Sequence, residues 1–135
     1  MKLGIDIGAI SVKTAILDDE GKILSDSYTR HKGEPVPTLI VQIKEILKAT
    51  NPEKIETVGI TGTGGKVVAK FLGIPFINEV IAVVKGTEHL LPGTATIVEI
   101  GGEDSKLISL SYRDGRCCIS DFSEHNMCRR GWFIS

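Results

Sequence analysis

Two short segments of this sequence each place an acidic residue beside a glycine turn, a pattern that suits a site facing a metal-bound polyphosphate. In residues 3–13, Asp6 ends an apolar run and Gly8 follows after one apolar residue. Residues 97–107 repeat this order with Glu99 as the acid. A carboxylate can hold Mg2+ through water while the backbone amides of a turn bind phosphate oxygens. Either motif alone is weak, but the repetition makes the two together a stronger indication of a nucleotide site.

The composition indicates one ordinary domain with a real core. The chain has 135 residues, of which 41% are hydrophobic and 24% are charged, and such a chain can bury a core. A formal net charge of -1 gives no electrostatic reason to expect nucleic acid or an anionic membrane as partner. No apolar run reaches membrane-spanning length and no signal-peptide region precedes the first strand, so we expect a cytoplasmic location.

Hydrophobic periodicity predicts the elements that position the two segments. We expect strands over residues 2–7, 11–18, 23–29, 57–60, 94–100, 106–112 and 117–122, and helices over residues 36–49, 66–72 and 78–91. The first three strands form an antiparallel meander. In the first helix Leu39 belongs to the apolar face and Gln42 to the opposite side, whereas the helix over 78–91 is apolar over much of its surface and is expected to be largely buried. Residues 126–135 resemble the start of a further helix.

The turn at residues 61–66 is a weaker candidate for anion binding. It joins a strand to a helix N-terminus, where an anion is favoured. The spacing of its glycines before Lys66 does not match a Walker P-loop. A tight turn without a ligand is the interpretation that we favour.

The remaining cysteines and histidines have structural interpretations. An odd number of cysteines without a spaced framework argues against a disulfide-stapled secreted fold. Cys117 and Cys118 lie on a predicted strand and are expected to fill small apolar positions. His31, His89 and His125 do not cluster with acids or cysteines at metal-ligand spacing, so surface or structural roles are expected.

Residues 6–13 and 100–106 resemble the first and second phosphate loops of the acetate kinase, sugar kinase, Hsp70 and actin superfamily. Along essentially its whole length the chain is similar to the BadF/BadG/BcrA/BcrD ATPases, which include activators of 2-hydroxyacyl-CoA dehydratases and ATPase subunits of benzoyl-CoA reductases. The resemblance implies an α/β, ribonuclease-H-like (actin/Hsp70-type) domain with a mixed sheet of five strands and flanking helices. It also implies that residues 1–92 form the N-terminal ATPase subdomain and residues 93–135 begin the second subdomain.

In that family, ATP drives a conformational change in a homodimer, which passes an electron from a shared [4Fe-4S] cluster to a partner enzyme. The resemblance therefore implies an activator that couples ATP binding and hydrolysis to low-potential electron transfer. The implied recipient is a 2-hydroxyacyl-CoA dehydratase or an enzyme of the benzoyl-CoA reductase type. The implied cofactors are ATP, Mg2+ and a [4Fe-4S] cluster shared between subunits, and the implied partners are a second copy of the chain and the acyl-CoA enzyme.

The family's functional residues carry over position by position. Asp6 would coordinate Mg2+ through water, and Asp6 and Glu99 would be the catalytic acids. The phosphates would be contacted by Gly8, Ala9, Ile10, Ser11, Lys13, Gly101, Gly102 and Glu103. Cys128 stands where the family has a ligand of the iron-sulfur cluster, and a thiolate is the ligand that such clusters use.

Three departures from the family pattern keep other functions open. The family usually has aspartate where this chain has Glu99 and glutamine where it has Glu103, and its members are about twice as long. ATPase activity is therefore expected only if the other half is supplied. The alternatives are a non-catalytic nucleotide-sensing or dimerising module and a small-molecule kinase of the same superfamily.

Overall fold

The computed structural model describes residues 1–126, which fall into two compact units, Met1–Glu79 and the chain from Val80 onward. The first unit contains β1 (Lys2–Ile7), β2 (Ser11–Leu17), β3 (Ile23–Arg30), α1 (Pro35–Ala49), β4 (Thr57–Thr61) and α2 (Gly65–Leu72). Then follow α3 (Glu79–Leu90), β5 (Thr96–Ile100), β6 (Asp104–Arg113) and β7 (Arg116–Asn126). The predicted subdomain division at residues 92 and 93 stays a prediction.

The first unit is built on a mixed sheet with the strand order β3-β2-β1-β4. β1 is antiparallel to β2 and parallel to β4, and β2 is antiparallel to β3. The predicted meander of the first three strands is therefore confirmed. Because side chains alternate along a strand, β1 buries every second residue, namely Leu3, Ile5 and Ile7. Asp6 lies between two of these and reaches the opposite face of the sheet.

The sheet has four strands rather than the predicted five. A fifth position beside β4 is reduced to one parallel bridge between Ile60 and Phe76. There the N–H of Ile60 donates to the carbonyl of Pro75 and the N–H of Ile77 donates to the carbonyl of Ile60. Proline has no N–H to continue a ladder, which is a physical reason why the segment does not extend into a strand.

Helix α1 packs on the sheet, but its polar side was predicted incorrectly. Leu39 and Ile46 are buried as expected. Gln42, which was assigned to the opposite side, is buried as well, and its Nε2 donates to the carbonyl of Val12 at 3.1 Å and to Thr29 Oγ1 at 3.0 Å. Two donated hydrogen bonds offset part of the cost of burying the amide.

The second unit is an antiparallel sheet of three strands in the order β5-β6-β7, with a small core of Val84, Ile108 and Leu110. The expectation that α3 is largely buried was wrong. Val84 is its buried residue, while Ile81 and Leu90 are exposed. In the part of the chain that is described, the longest helix, α1, has 15 residues, and no helix is long and apolar enough to cross a membrane.

Candidate functional site

The first glycine turn is a tight connection between β1 and β2. The N–H of Gly8 donates to the carbonyl of Ser11 at 3.0 Å. Ala9 and Ile10 lie between them, and among residues 1–126 their amide N–H groups have no hydrogen-bond acceptor. Ile10 is exposed. The turn therefore presents two unused donors, as a phosphate-binding turn requires.

Asp6 stands next to this turn and faces Lys13. The two residues are register partners in β1 and β2, and Lys13 Nζ lies 2.8 Å from Asp6 Oδ2. The side chains are 48% exposed for Lys13 and 32% exposed for Asp6, so the ion pair is screened by water and contributes little stability. Asp6 Oδ1 accepts no hydrogen bond from the described residues. That carboxylate oxygen is available to water or to a hydrated cation.

The turn after β4 closes on the carboxyl end of β1. Gly64 N–H donates to the carbonyl of Ile7 at 2.9 Å, and Gly65 N–H donates to the carbonyl of Gly62 at 2.9 Å. These two donors are used within the protein, whereas the N–H of Thr63 has no acceptor among residues 1–126. The tight-turn interpretation therefore stays a prediction. Gly62 has φ +91° and lies against Asp6, so that a Cβ atom on it would be 2.5 Å from Asp6 Oδ1. The turn leaves space beside the carboxylate only because residue 62 is glycine.

His31, which was expected to be a surface or structural residue, contacts the first glycine turn directly. Its backbone N–H donates to the carbonyl of Ile10 at 3.0 Å, and its Nε2 lies 3.2 Å from the carbonyl oxygen of Gly8. The residue is buried. Sequence reasoning missed this contact because the two residues are 23 positions apart and no local pattern joins them.

The second glycine turn repeats the backbone arrangement of the first. Gly101 N–H donates to the carbonyl of Asp104 at 2.9 Å, just as Gly8 donates to Ser11. Glu99 and Lys106 are register partners in β5 and β6, just as Asp6 and Lys13 are in the first hairpin. The expected repeat is therefore present in the backbone, with each hairpin in its own unit.

The side chains of the second hairpin are arranged differently. Lys106 is only 5% exposed, and its Nζ lies 2.8 Å from Asp104 Oδ1 and 3.6 Å from Glu99 Oε2. Lys106 and Glu99 thus form an ion pair that is too long for a hydrogen bond. Glu99 Oε2 is buried and accepts no hydrogen bond from the described residues. Lys106 lowers the pKa of Asp104, chiefly through its hydrogen bond. The acid that matches Asp6 is therefore held against a buried lysine, while Glu103 in the turn is exposed.

The predicted site residues thus fall into two groups. The first hairpin gathers Asp6, Gly8, Ala9, Ile10, Ser11 and Lys13, and the second gathers Glu99, Gly101, Gly102 and Glu103. Cys128 lies outside the described residues. Of the other cysteines, Cys117 is partly buried and packs on the second core, and Cys118 is exposed. Within residues 1–126, no three His, Cys, Asp or Glu side chains are grouped closely enough to hold a metal ion.

Comparison with known proteins finds relatives that are named as activators or components of acyl-CoA dehydratases. The 2-hydroxyisocaproyl-CoA dehydratase activator of Clostridioides difficile is 27% identical over 130 residues, which cover 96% of this chain and 47% of the activator. The structure of component A of the (R)-2-hydroxyglutaryl-CoA dehydratase of Acidaminococcus fermentans superposes with a TM-score of 0.79 at 25% identity, covering 94% of this chain and 48% of that one. The chain spans about half the length of these relatives.

A second structure adds a ligand to the comparison. The activator of the 2-hydroxyisocaproyl-CoA dehydratase from Clostridium difficile, solved with bound ADPNP, superposes with a TM-score of 0.72 at 25% identity and covers 94% of this chain and 46% of that one. The expected ribonuclease-H-like, actin/Hsp70-type fold is confirmed by these superpositions. The sequence profile described as the BadF/BadG/BcrA/BcrD ATPase family matches residues 3–120. The chain therefore belongs to the BadF/BadG/BcrA/BcrD ATPase family.

Proposed function

We propose that this chain is the ATP-binding part of an activator that couples ATP to low-potential electron transfer into a 2-hydroxyacyl-CoA dehydratase or a benzoyl-CoA reductase type enzyme. Membership of an ATPase family and similarity to two dehydratase activators support the proposal. The observation that carries it is the first hairpin. Among the described residues, Asp6 Oδ1 accepts no hydrogen bond, and the amide N–H groups of Ala9 and Ile10 have no acceptor. A carboxylate beside free amides fits Mg2+ and phosphate together.

In this proposal the first hairpin performs the binding. Asp6 would hold Mg2+ through water, and Gly8, Ala9, Ile10, Ser11 and Lys13 would contact the phosphates. A bound Mg2+ would supply positive charge that neutralises the phosphate oxygens. Lys13 pairs with Asp6 in the described structure. Because this ion pair is exposed and contributes little free energy, Lys13 can leave Asp6 and pair with a phosphate instead.

The second hairpin is proposed to contribute backbone donors more than a catalytic acid. Gly101 and Gly102 would form the second phosphate turn, with Glu103 at its exposed tip. Glu99 is the proposed second acid, although its carboxylate faces Lys106. That pairing favours a second candidate function, a nucleotide-sensing or dimerising module that binds ATP without turning it over.

The electron-transfer part of the proposal depends on a cluster and on a dimer. We propose Cys128 as the ligand of a [4Fe-4S] cluster shared by two copies of the chain, and a cytoplasmic location for the assembly. The cluster and the dimer are supported by the family resemblance alone. Anaerobic reconstitution of the wild type and of Cys128→Ser with iron and sulfide tests them. Visible absorbance in the wild type only is the expected result, and a colourless wild type would exclude the cluster.

ATP turnover with Mg2+, measured with the other half of the ATPase supplied, tests the nucleotide part. Replacing Asp6 with asparagine keeps the size of the side chain but removes its charge, and is expected to reduce turnover at least about tenfold. Asp26→Asn, an exposed carboxylate on β3, is the matched control and should behave as the wild type. Equal turnover in Asp6→Asn and wild type would exclude the ATPase. Binding of ADPNP that requires Asp6, without any turnover, would support the sensing module instead.

A further inference from the structure

We propose that His31 is a positioning residue that fixes the peptide bond between Gly8 and Ala9 so that the amide of Ala9 is presented to an anion. The inference rests on the proposed function for the identity of that anion, a nucleotide phosphate. Its structural part concerns the turn alone.

The hydrogen bonds of the His31 ring define which nitrogen carries the proton. Gly33 N–H donates to His31 Nδ1 at 3.1 Å, so Nδ1 is an acceptor. A neutral ring then carries its hydrogen on Nε2, and this N–H donates to the carbonyl of Gly8 at 3.2 Å. Lys32 and Gly33 have φ values of 49° and 91°, and this left-handed turn brings the Gly33 amide back to the ring. The chain following β3 therefore sets the tautomer that the contact with Gly8 requires.

His31 holds the turn at two points. Besides the ring contact with Gly8, its backbone N–H donates to the carbonyl of Ile10 at 3.0 Å. With only 9% of the residue exposed, the ring has little room to leave the turn. Two of the carbonyl groups in the turn are thereby drawn toward the same residue.

The consequence for Ala9 follows from the planarity of the peptide. In a trans peptide the C=O and the N–H point in opposite directions, and the described residues contain no cis peptide bond. Since the carbonyl of Gly8 points at the His31 ring, the N–H of Ala9 points away from it, and it has no acceptor among residues 1–126. Gly8 has no side chain to resist a rotation of this peptide. A rotation would present a carbonyl oxygen to the phosphate, and the His31 hydrogen bond opposes it.

Two substitutions separate the contact with Gly8 from the contact with Gly33. In His31→Gln, the terminal amide can extend to the place of Nε2 and donate to Gly8. In His31→Asn, the shorter side chain can accept from Gly33 but cannot donate to Gly8. A residue that served only to fix the turn at Gly33 would tolerate asparagine at least as well as glutamine.

The first measurement needs no nucleotide. Relaxation dispersion of the backbone amides in the 15N-labelled full chain is expected to show slow exchange at Ala9 in His31→Asn, and none in the wild type or in His31→Gln. Exchange that is absent in all three proteins, or equal in the two variants, would overturn the positioning role.

The second measurement is the affinity of the same three proteins for ADPNP with Mg2+. His31→Asn should bind about tenfold more weakly, as expected for one lost hydrogen bond to the turn, and His31→Gln should stay within about threefold of the wild type. Unchanged affinity in His31→Asn would overturn the claim that the oriented amide serves the ligand. If the wild type does not bind ADPNP, the proposed function is wrong. The relaxation measurement then still tests whether His31 orients the peptide between Gly8 and Ala9.

Discussion

Gly62 and Asp6 are so close that residue 62 can only be glycine without a rearrangement of the candidate site. A Cβ atom on residue 62 would lie 2.5 Å from Asp6 Oδ1 and 2.4 Å from the carbonyl oxygen of Ile7. The second contact is with backbone, which cannot rotate away as a side chain can. The end of β1 and the turn after β4 are thus fitted to each other at the acid that is proposed to face Mg2+.

Substituting alanine for Gly62 should therefore destabilise the protein and disturb Asp6. A φ of +91° costs a residue with a side chain about 1–2 kcal/mol, and the contact with Ile7 adds to this. We expect the free energy of unfolding, measured by urea denaturation, to fall by about 3 kcal/mol or more. Gly33→Ala is the matched control, because Gly33 has the same φ with no atom within 4 Å. Equal losses in the two variants would show that strain alone, and not the contact with β1, matters.

The two hairpins could be predicted from sequence because their signals are local. The alternation of apolar residues fixes which face of a strand is buried, and a glycine turn of fixed length then sets the register that pairs Asp6 with Lys13 and Glu99 with Lys106. The strand and turn positions follow from residues that are close in the chain. The fold could be recognised because the two glycine turns, which resemble the family's phosphate loops, are likewise local in sequence.

The parts that could not be predicted depend on contacts between distant residues. His31 follows β3 and is buried against Gly8. No sequence pattern in residues 23–34 predicts that contact. Gln42 has a polar side chain of the kind that usually faces solvent, but the carbonyl of Val12 and the hydroxyl of Thr29 accept hydrogen bonds from its amide. The difference between Lys13 and Lys106 is likewise one of burial, which identical register positions do not reveal.

Lys106 is predicted to stabilise the second hairpin in a pH-dependent way. Lys106→Met leaves Asp104 and Glu99 without their cation, and should cost on the order of 2 kcal/mol at pH 7. The pKa of Asp104 lies below its ordinary value of 3.8, chiefly because of the hydrogen bond from Lys106. Because the folded-state pKa is lowered, this stability is present above pH 3.8 and is lost as the pH falls through the folded-state value. The difference between wild type and variant in urea denaturation should therefore shrink below about pH 4.

Lys13→Met is the control for that experiment, since Lys13 occupies the same register position in the first hairpin. Its pair with Asp6 is exposed, so the loss should stay below about 1 kcal/mol at pH 7. A larger loss for Lys13 than for Lys106 would contradict the importance of burial.

Gln42→Glu should destabilise the first unit strongly at neutral pH and weakly in acid. The new carboxylate would be buried and would face two acceptors, the carbonyl of Val12 and Thr29 Oγ1, so the unfolding free energy should fall by about 3 kcal/mol. Burial raises the folded-state pKa of such a group, and the charge penalty disappears below the unfolded value near about pH 4. Gln42→Met, which has no charge, should show a loss that does not depend on pH. A parallel pH dependence in both variants would refute the assignment.

Glu103→Gln is predicted to strengthen nucleotide binding. Glu103 is exposed in the turn that follows Gly101 and Gly102, where the proposed function brings phosphate oxygens, and a like charge a few ångströms from a phosphate in water costs about 1 kcal/mol. Titration with ADPNP and Mg2+ should show an affinity about threefold to tenfold higher in the variant, and the gain should decrease as salt is added because the charges are screened. Asp114→Asn, at the tip of the β6–β7 hairpin where φ is 50°, removes one charge at the opposite end of β6 and should leave the affinity unchanged. If both variants bind ADPNP equally well at low salt, the effect is one of net charge, and the second hairpin is not a phosphate turn.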